Sequence, residues 1–191
     1  MAVEPKRGFT YADLQTFPED NLRREIIDGE LVVTAAPRIR HQRVVATLTL
    51  HLGLYAREHG GEVFPAPTDV FFSDTNVVEP DVLFVTASNL AKLEERFVRS
   101  APDLVIEISS PSTRKLELVR KRELYERFGV PEYWYVDIEL DQVQVYRLAE
   151  GYGIARILGR GETLVSIALD GFEIGVDELL GPPESEDDRA P

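Results

Sequence analysis

The fold is indicated most clearly by two nearly continuous apolar runs, EPDVLFV at 79–85 and PDLVIEIS at 102–109. Runs without regular polar alternation are typical of β-strands that are covered on both faces, as in α/β proteins. EYWYVDI at 132–138 has the same character, and EVFPAPTDVFF at 62–72 is a further strand candidate that precedes them. Together the four runs predict a largely buried central sheet.

Helical patterns flank these strands. Apolar residues recur at helical spacing over 41–58, which predicts a long amphipathic helix that starts just after Pro37 and ends at Gly60-Gly61. A second helix is predicted over TRKLELVRKRELYERFG, between the last two strand runs, with Gly129 at its C-terminal end. The alternation of strands and helices indicates a single α/β domain.

Additional β-structure is predicted at both ends of the chain. The stretch REIIDGELVV at 24–33 carries Asp28-Gly29 between two apolar runs, which is a strong signal for a two-residue hairpin. In such a hairpin Glu25 and Glu30 project from the same face. Near the other end, VQVYRL (143–148) and ETLVSIAL (162–169) alternate like antiparallel strands.

The domain is expected to span 1–182, and the charged, Pro-rich residues 183–191 are expected to form a disordered acidic tail. The 191-residue chain has no cysteine, which excludes disulfides and cysteine-ligated metals. It has no apolar run near the ~18 residues of a membrane span, and its first residues lack the apolar core of a secretory signal. A cytoplasmic protein with no membrane partner is therefore expected.

The net charge of −13 argues against a general polyanion-binding protein, but the charge is unevenly distributed. Residues 170–191 carry −7 of it, whereas 31–60 and 114–127 each sum to +3. Net charge by itself therefore does not exclude nucleic acid as a partner. Common nucleotide-binding, serine-hydrolase and zinc-protease motifs are missing from the sequence.

Two acids inside the apolar strands are the candidate metal ligands. Asp81 follows Pro80 at the opening of one run, and Glu107 interrupts the next. A buried carboxylate is costly unless a cation or hydrogen bonds compensate it, and two carboxylates from neighbouring strands suit Mg²⁺. The alternative is structural, with Asp81 capping its strand and Glu107 paired with an arginine.

Lys121 is the candidate catalytic cation. Glu117, Lys121 and Tyr125 lie four residues apart and form one stripe on the second helix. A lysine beside a metal-bound phosphate can orient the attacking water and stabilise developing charge. The alternative is an ordinary Glu–Lys pair on a solvated helix face.

These residues resemble the PD-(D/E)XK superfamily of restriction-endonuclease-like proteins. The ordered motifs EIIDGELVV, HQxVV, EPDVLFV, DLVIEISSPST, KxxxY and GVPEYWYVD are similar to the Uma-type family, a group of candidate endonucleases in that superfamily, over residues 10 to 180. The resemblance implies a restriction-endonuclease-like α/β core, with a central mixed β-sheet flanked by helices, an N-terminal β-hairpin and a C-terminal antiparallel extension.

The resemblance also implies roles for individual residues. The superfamily has E-x-K at Glu107, but this chain has Ser109 in place of that lysine. In the family the lysine lies on the following helix, which matches Lys121. An additional acid from the N-terminal element implicates Glu25 or Glu30, although both could be ordinary polar residues of the hairpin face.

Three further residues are candidate substrate contacts, although each could also be an ordinary surface residue: His41, Arg38 and Arg114. The function expected from all of these features is a Mg²⁺-dependent phosphodiesterase that hydrolyses DNA as an endonuclease, with Mn²⁺ as a substitute metal, and that forms a homodimer. The alternative is a non-catalytic module that binds nucleic acid or a protein on a nuclease-like fold.

Overall fold

The computed structural model describes residues 8–18, 20, 22–34, 37–110 and 113–183. Apart from residue 183, the acidic tail expected at 183–191 lies outside the described residues.

The described helices are, in chain order, α1 (Tyr11–Leu14), α2 (Ile39–His59), α3 (Arg122–Arg127) and α4 (Val176–Leu180). A π-helical segment, Leu116–Lys121, leads directly into α3. The described strands are β1 (Arg23–Ile27), β2 (Glu30–Thr34), β3 (Glu62–Pro65), β4 (Asp69–Ser73), β5 (Asn76–Val78), β6 (Val82–Val85), β7 (Phe97–Arg99), β8 (Leu104–Ile108), β9 (Glu132–Asp137), β10 (Gln142–Arg147), β11 (Arg156–Gly159), β12 (Thr163–Val165) and β13 (Glu173–Gly175).

A six-stranded mixed sheet forms the centre of the fold, in the order β11-β10-β9-β8-β6-β3. Only β8 and β9 run parallel within it, and the helical segment after β8 supplies their crossover. A second sheet, β2-β1-β5-β4-β7, contains the N-terminal hairpin, and β12 pairs with β13 near the C-terminal end. The predicted fold class, a mixed central sheet flanked by helices with a hairpin before it and antiparallel strands after it, is confirmed.

Helices and the second sheet cover the two faces of the central sheet. Leu104, Ile106 and Ile108 of β8 pack on the α2 side, in one hydrophobic cluster with Leu48 of α2. Val105 of the same strand belongs to the cluster on the opposite side, which also contains residues of α3 and of the second sheet. Because side chains alternate along a strand, both faces of β8 are covered, which explains why its residues other than Glu107 are all apolar.

The hairpin forms with the register that a two-residue turn implies. Asp28 and Gly29 have φ values of 53° and 77°, as a two-residue turn of this type requires. Ile27 pairs with Glu30, and Glu25 pairs with Val32. None of the described helices combines the length and apolar character that a membrane span requires.

Two strand predictions are wrong in extent. The run at 62–72 forms two strands in different sheets, β3 and β4. Pro65 and Pro67 lack the backbone N–H donors that one continuous strand would need. The run at 162–169 forms only the short strand β12. Its second half instead turns around the buried carboxylate of Glu132, which accepts hydrogen bonds from the backbone N–H groups of Ile167 and Ala168.

Candidate metal centre

Asp81 and Glu107 reach the same place from neighbouring strands. Asp81 directly precedes β6, which pairs antiparallel with β8, the strand that contains Glu107. One carboxylate oxygen from each of these residues and one from Glu117 all lie within 4.8 Å of one another, and all three residues are buried. Asp81 and Glu107 are the metal ligands that the sequence predicts, and Glu117 is added to them by the structure.

Glu117 reaches the cluster from the π-helical segment. Its carbonyl oxygen accepts a hydrogen bond from the backbone N–H of Arg122, five residues on, which is the π-helical pattern. Burial raises the pKa of Glu117 to about 8, and the charge of Glu107 adds to the increase. A sequence signal for Glu117 is its position four residues before Lys121, on the same side of the helix.

Each oxygen of Asp81 has its own set of partners. Oδ2 accepts a hydrogen bond of 2.7 Å from the backbone N–H of Ile108 and lies 3.1 Å from Nε2 of His41. Oδ1 accepts a hydrogen bond of 2.7 Å from Nη1 of Arg23. Burial alone would raise the pKa of Asp81, but the hydrogen bond with His41 and the charge of Arg23 outweigh it and hold that pKa well below its usual range.

The two oxygens of Glu107 are also used differently. Oε1 accepts hydrogen bonds from Nζ of Lys121 at 2.8 Å and from the hydroxyl of Tyr125 at 2.5 Å. Oε2 has no hydrogen-bond partner among the described residues, and Nη2 of Arg23 lies 3.6 Å from it. Burial raises the pKa of Glu107, and the charge of Lys121 offsets part of that increase.

Lys121 is a buried ammonium between two carboxylates. Its Nζ lies 2.6 Å from Oε1 of Glu25 and 2.8 Å from Oε1 of Glu107. Burial alone would lower the pKa of Lys121, but the charges of Glu107 and Glu25 raise it above its ordinary value, so the side chain stays protonated. Tyr125, on the same helix stripe as Lys121, donates its hydroxyl hydrogen to Glu107.

The two hairpin glutamates have different environments. Glu25 is buried, and its Oε1 also accepts a hydrogen bond of 2.8 Å from the backbone N–H of Glu79. Glu30 is exposed and pairs with Arg120 at 2.8 Å. The hairpin places both on one face, but only Glu25 lies where the second sheet meets the central sheet, and only Glu25 joins the cluster.

The fold places the three candidate substrate contacts in different environments. His41 lies in the first turn of α2 and contacts Asp81. Arg38 is the exposed residue that immediately precedes α2. Arg114, whose side chain is 40% exposed, pairs with the buried carboxylate of Asp137.

Two features of the centre do not follow from the sequence, the position of Arg23 and the role of Ser109. The structural alternative for Glu107 predicts an arginine partner but does not identify Arg23. Ser109 stands where the superfamily has its lysine, and its buried hydroxyl accepts a hydrogen bond from the backbone N–H of Ile138 at 3.0 Å. The serine therefore secures the end of β8 against β9, and the lysine comes from the helix.

The residues present fit a divalent cation. Oε2 of Glu25, Oε2 of Glu107 and Oε2 of Glu117 are buried and have no hydrogen-bond partner among the described residues. Together with Asp81, these groups place four carboxylates around the two cationic side chains, Arg23 and Lys121. Carboxylate oxygens are the ligands that Mg²⁺ and Mn²⁺ prefer.

Comparisons with known proteins identify a similar fold and a family. A crystal structure described as that of a putative nuclease of the DUF820 family, from Anabaena variabilis, resembles this chain with a TM-score of 0.75. The two sequences are 18% identical, and the match covers 90% of this chain and 97% of the other. No curated protein matches the chain. The profile of the Uma2 family, whose description is "Putative restriction endonuclease", matches residues 10–177, and the chain therefore belongs to the Uma2 family.

Proposed function

We propose that this protein is a divalent-metal-dependent phosphodiesterase that cleaves DNA as an endonuclease. The observation that carries the proposal is the buried group of Asp81, Glu107 and Glu117, whose oxygens lie within 4.8 Å of one another next to a buried lysine. Membership of the Uma2 family and a nuclease-like fold support the same reaction class.

The three carboxylates would hold Mg²⁺, with Mn²⁺ as a substitute, through Oδ1 of Asp81, Oε2 of Glu107 and a carboxylate oxygen of Glu117. When bound, the metal would polarise the scissile phosphate and lower the pKa of a water molecule. His41 and the backbone N–H of Ile108 fix the other oxygen of Asp81, so that Oδ1 keeps one orientation. Tyr125 and Lys121 do the same for Glu107.

Lys121 would position the attacking water and steady the charge on the phosphate. An ammonium group has three N–H donors. The contacts with Glu25 and Glu107 use two of them, which leaves one for a water molecule or a phosphate oxygen. Because both contacts are short and buried, the group is held in place before the substrate arrives, which a catalytic group requires.

Nucleic acid is the proposed substrate despite the net charge of −13. Arg38 and Arg114, both outside the acidic cluster, are the proposed contacts to the phosphate backbone, since phosphate contacts are made mainly by arginine and lysine.

The test is cleavage of supercoiled, linear, branched and single-stranded DNA, and of RNA, in Mg²⁺ and in Mn²⁺. Asp81→Asn and Glu107→Gln should each lower the cleavage rate by at least ~100-fold, because each removes a charged ligand of the metal. Glu62→Gln, an exposed residue of β3, is the matched control and should cleave like the unmodified protein.

Cleavage that continues unchanged in Asp81→Asn would contradict the proposed site. Binding of DNA or of a protein without cleavage in either metal would instead favour the alternative of a non-catalytic module.

The homodimer stays a prediction. Among the residues of the C-terminal strands, Val143, Val145 and Leu164 are buried within the chain itself, so they do not need a partner. Ile157 on the edge strand β11 and Ile167 remain exposed. Sedimentation at micromolar concentration that gives only a 21.5 kDa species would contradict the homodimer. The cytoplasmic location and the single domain over 1–182 also stay predictions.

A further inference from the structure

Arg23 occupies a central position among the buried acids. Its Nη1 lies 2.7 Å from Oδ1 of Asp81, and its Nη2 lies 3.6 Å from Oε2 of Glu107 and 3.8 Å from Oε1 of Glu25. The guanidinium therefore faces the acids that surround the proposed metal site.

The guanidinium approaches the particular oxygens that the proposed metal would need. Oδ2 of Asp81 already has two partners, and so has Oε1 of Glu107. The oxygens that remain, Oδ1 of Asp81 and Oε2 of Glu107, are the two that Arg23 faces. A divalent cation bound to the same two oxygens would place its charge against the guanidinium at close range, where like charges repel strongly.

The hydrogen bonding of Arg23 is incomplete in this position. Its Nε and Nη2 are buried and have no hydrogen-bond partner among the described residues. Buried donors are normally paired, so each unpaired donor in a native structure calls for an explanation. The unpaired donors are explained if the guanidinium also adopts a second position, in which these donors form hydrogen bonds.

Arg23 also has a route to the surface. Its side chain is 22% exposed, whereas that of Lys121 is 2% exposed. Of the two cationic side chains in the cluster, that of Arg23 is thus the more accessible to a molecule arriving from solvent. A guanidinium binds phosphate oxygens with two parallel hydrogen bonds, which would use its unpaired donors.

We propose that Arg23 exchanges between two partners, the carboxylates of Asp81 and Glu107 in the metal-free protein and a phosphate of the nucleic acid in the metal-loaded protein. Binding of the divalent cation releases the guanidinium, and the released guanidinium holds the substrate beside the metal. This inference rests on the proposed function for the identity of the substrate, but the competition between Arg23 and the metal does not depend on cleavage.

Metal affinity tests the competition directly. Mn²⁺ is titrated into the whole protein without nucleic acid, by calorimetry, for the unmodified chain and for Arg23→Gln. The variant should bind Mn²⁺ at least ~10-fold more tightly, because a metal that must first displace a guanidinium binds with an affinity reduced by that competition. An unchanged or weaker affinity would overturn the proposal, since an arginine that merely supports the site would give that result.

Arg24→Gln is the matched control. Arg24 is the next residue of β1, carries the same charge, and pairs with exposed Asp20 rather than with the cluster. Its substitution should leave the Mn²⁺ affinity unchanged. An equal increase in both variants would mean that general charge, and not the position of Arg23, controls the affinity.

Loss of Arg23 could also prevent folding, because it leaves buried carboxylates without a cation. Arg23→Lys keeps the charge with a shorter reach and should show a smaller increase in Mn²⁺ affinity. Thermal unfolding gives a second measurement, in which Mn²⁺ should raise the Tm of Arg23→Gln by more than it raises that of the unmodified protein. An equal or smaller Tm increase would count against the exchange.

The proposed contact between Arg23 and a phosphate is tested by measuring the affinity for a short fluorescent DNA duplex in Ca²⁺, a cation with similar oxygen ligands. Arg23→Gln should bind the duplex ~10-fold more weakly than the unmodified protein although it binds metal more tightly. Equal affinities of Arg23→Gln and the unmodified protein for the duplex would overturn the proposed contact with phosphate. Failure of the proposed function would give different results. Either Asp81→Asn would bind Mn²⁺ as tightly as the unmodified protein, or the unmodified protein would cleave none of the substrates.

Discussion

Nζ of Lys121 lies 2.8 Å from Oε1 of Glu107, although the two residues are 14 positions apart and belong to a helical segment and a strand. In the superfamily motif the lysine follows its acid by two positions on the same strand, where this chain has the buried Ser109. A lysine on the neighbouring helix reaches the same carboxylate because the π-helical segment packs on the face of the sheet from which Glu107 projects. The chemistry of the pair therefore depends on helix packing and not on strand spacing.

Replacement of Lys121 by methionine should lower cleavage by at least ~100-fold, because a catalytic ammonium is lost. It should also lower the free energy of unfolding by about 3 kcal/mol, since Glu25 and Glu107 would remain buried without their cation. Chemical denaturation and cleavage assays measure the two effects separately. Lys115→Met is the control, because Lys115 is exposed at the start of the same helical stretch, and it should change neither quantity substantially. Full cleavage activity in Lys121→Met would show that the lysine has no catalytic role.

Glu117→Gln should weaken Mn²⁺ binding by ~10-fold or more, because it replaces a charged ligand with a neutral one. It should raise the stability of the metal-free protein at pH 7, because native Glu117 must hold a proton there that the unfolded chain releases, whereas a glutamine carries no such penalty. Burial raises the pKa of Glu117 to about 8, so the native side chain is already mostly neutral there. Calorimetry and chemical denaturation check these outcomes against Glu123→Gln, an exposed residue of α3. Equal Mn²⁺ affinities in the two variants would remove Glu117 from the metal site.

Asp69→Asn should flatten the dependence of stability on pH. Burial and the charge of Glu25 raise the pKa of Asp69 from 3.8 to about 6, so the native protein holds this proton after the unfolded chain has lost it. The resulting stabilisation is fully present below pH 3.8 and is lost as the pH rises through about 6. Between these limits the free energy of unfolding of the unmodified protein should fall relative to that of the variant by about 1–2 kcal/mol, allowing for partial exposure.

The measurement for Asp69 is denaturant unfolding from pH 4 to pH 7. Asp74→Asn, an exposed aspartate in the neighbouring turn, should follow the unmodified protein over this range. Parallel curves for Asp69→Asn and the unmodified chain would show that burial does not hold the proton on Asp69.

Gly61→Ala should destabilise the fold more than Gly171→Ala. Both glycines have positive φ values, 94° and 76°, so both substitutions strain the backbone. A Cβ at Gly61 would also lie 2.6 Å from the carbonyl oxygen of Val85, whereas nothing lies within 4 Å of a Cβ at Gly171. The difference in the free energy of unfolding should be about 2 kcal/mol by chemical denaturation. Equal losses would mean that β6 shifts away from Gly61 at little cost.

Local patterns predicted much of the fold because their causes are local. The turn at Asp28-Gly29 follows from the backbone conformations that those two residues tolerate, and the register of its hairpin follows from the length of the turn. Continuous apolar runs identified the strands that are covered on both sides. Local patterns failed at 62–72 and 162–169, where prolines and the distant carboxylate of Glu132 determine the path of the chain.

The same distinction between local and distant causes applies to the residues of the candidate site. The order of residues is enough to place the acids Asp81 and Glu107 in apolar strands and to put Glu117 and Lys121 on one side of a helix. That Glu25 and not Glu30 joins them, and that Arg23 lies among them, depends on how the strands and helices pack. Alternation along a strand specifies the face from which a side chain projects, but the depth of its burial and its charged partners depend on which strands and helices pack against that face.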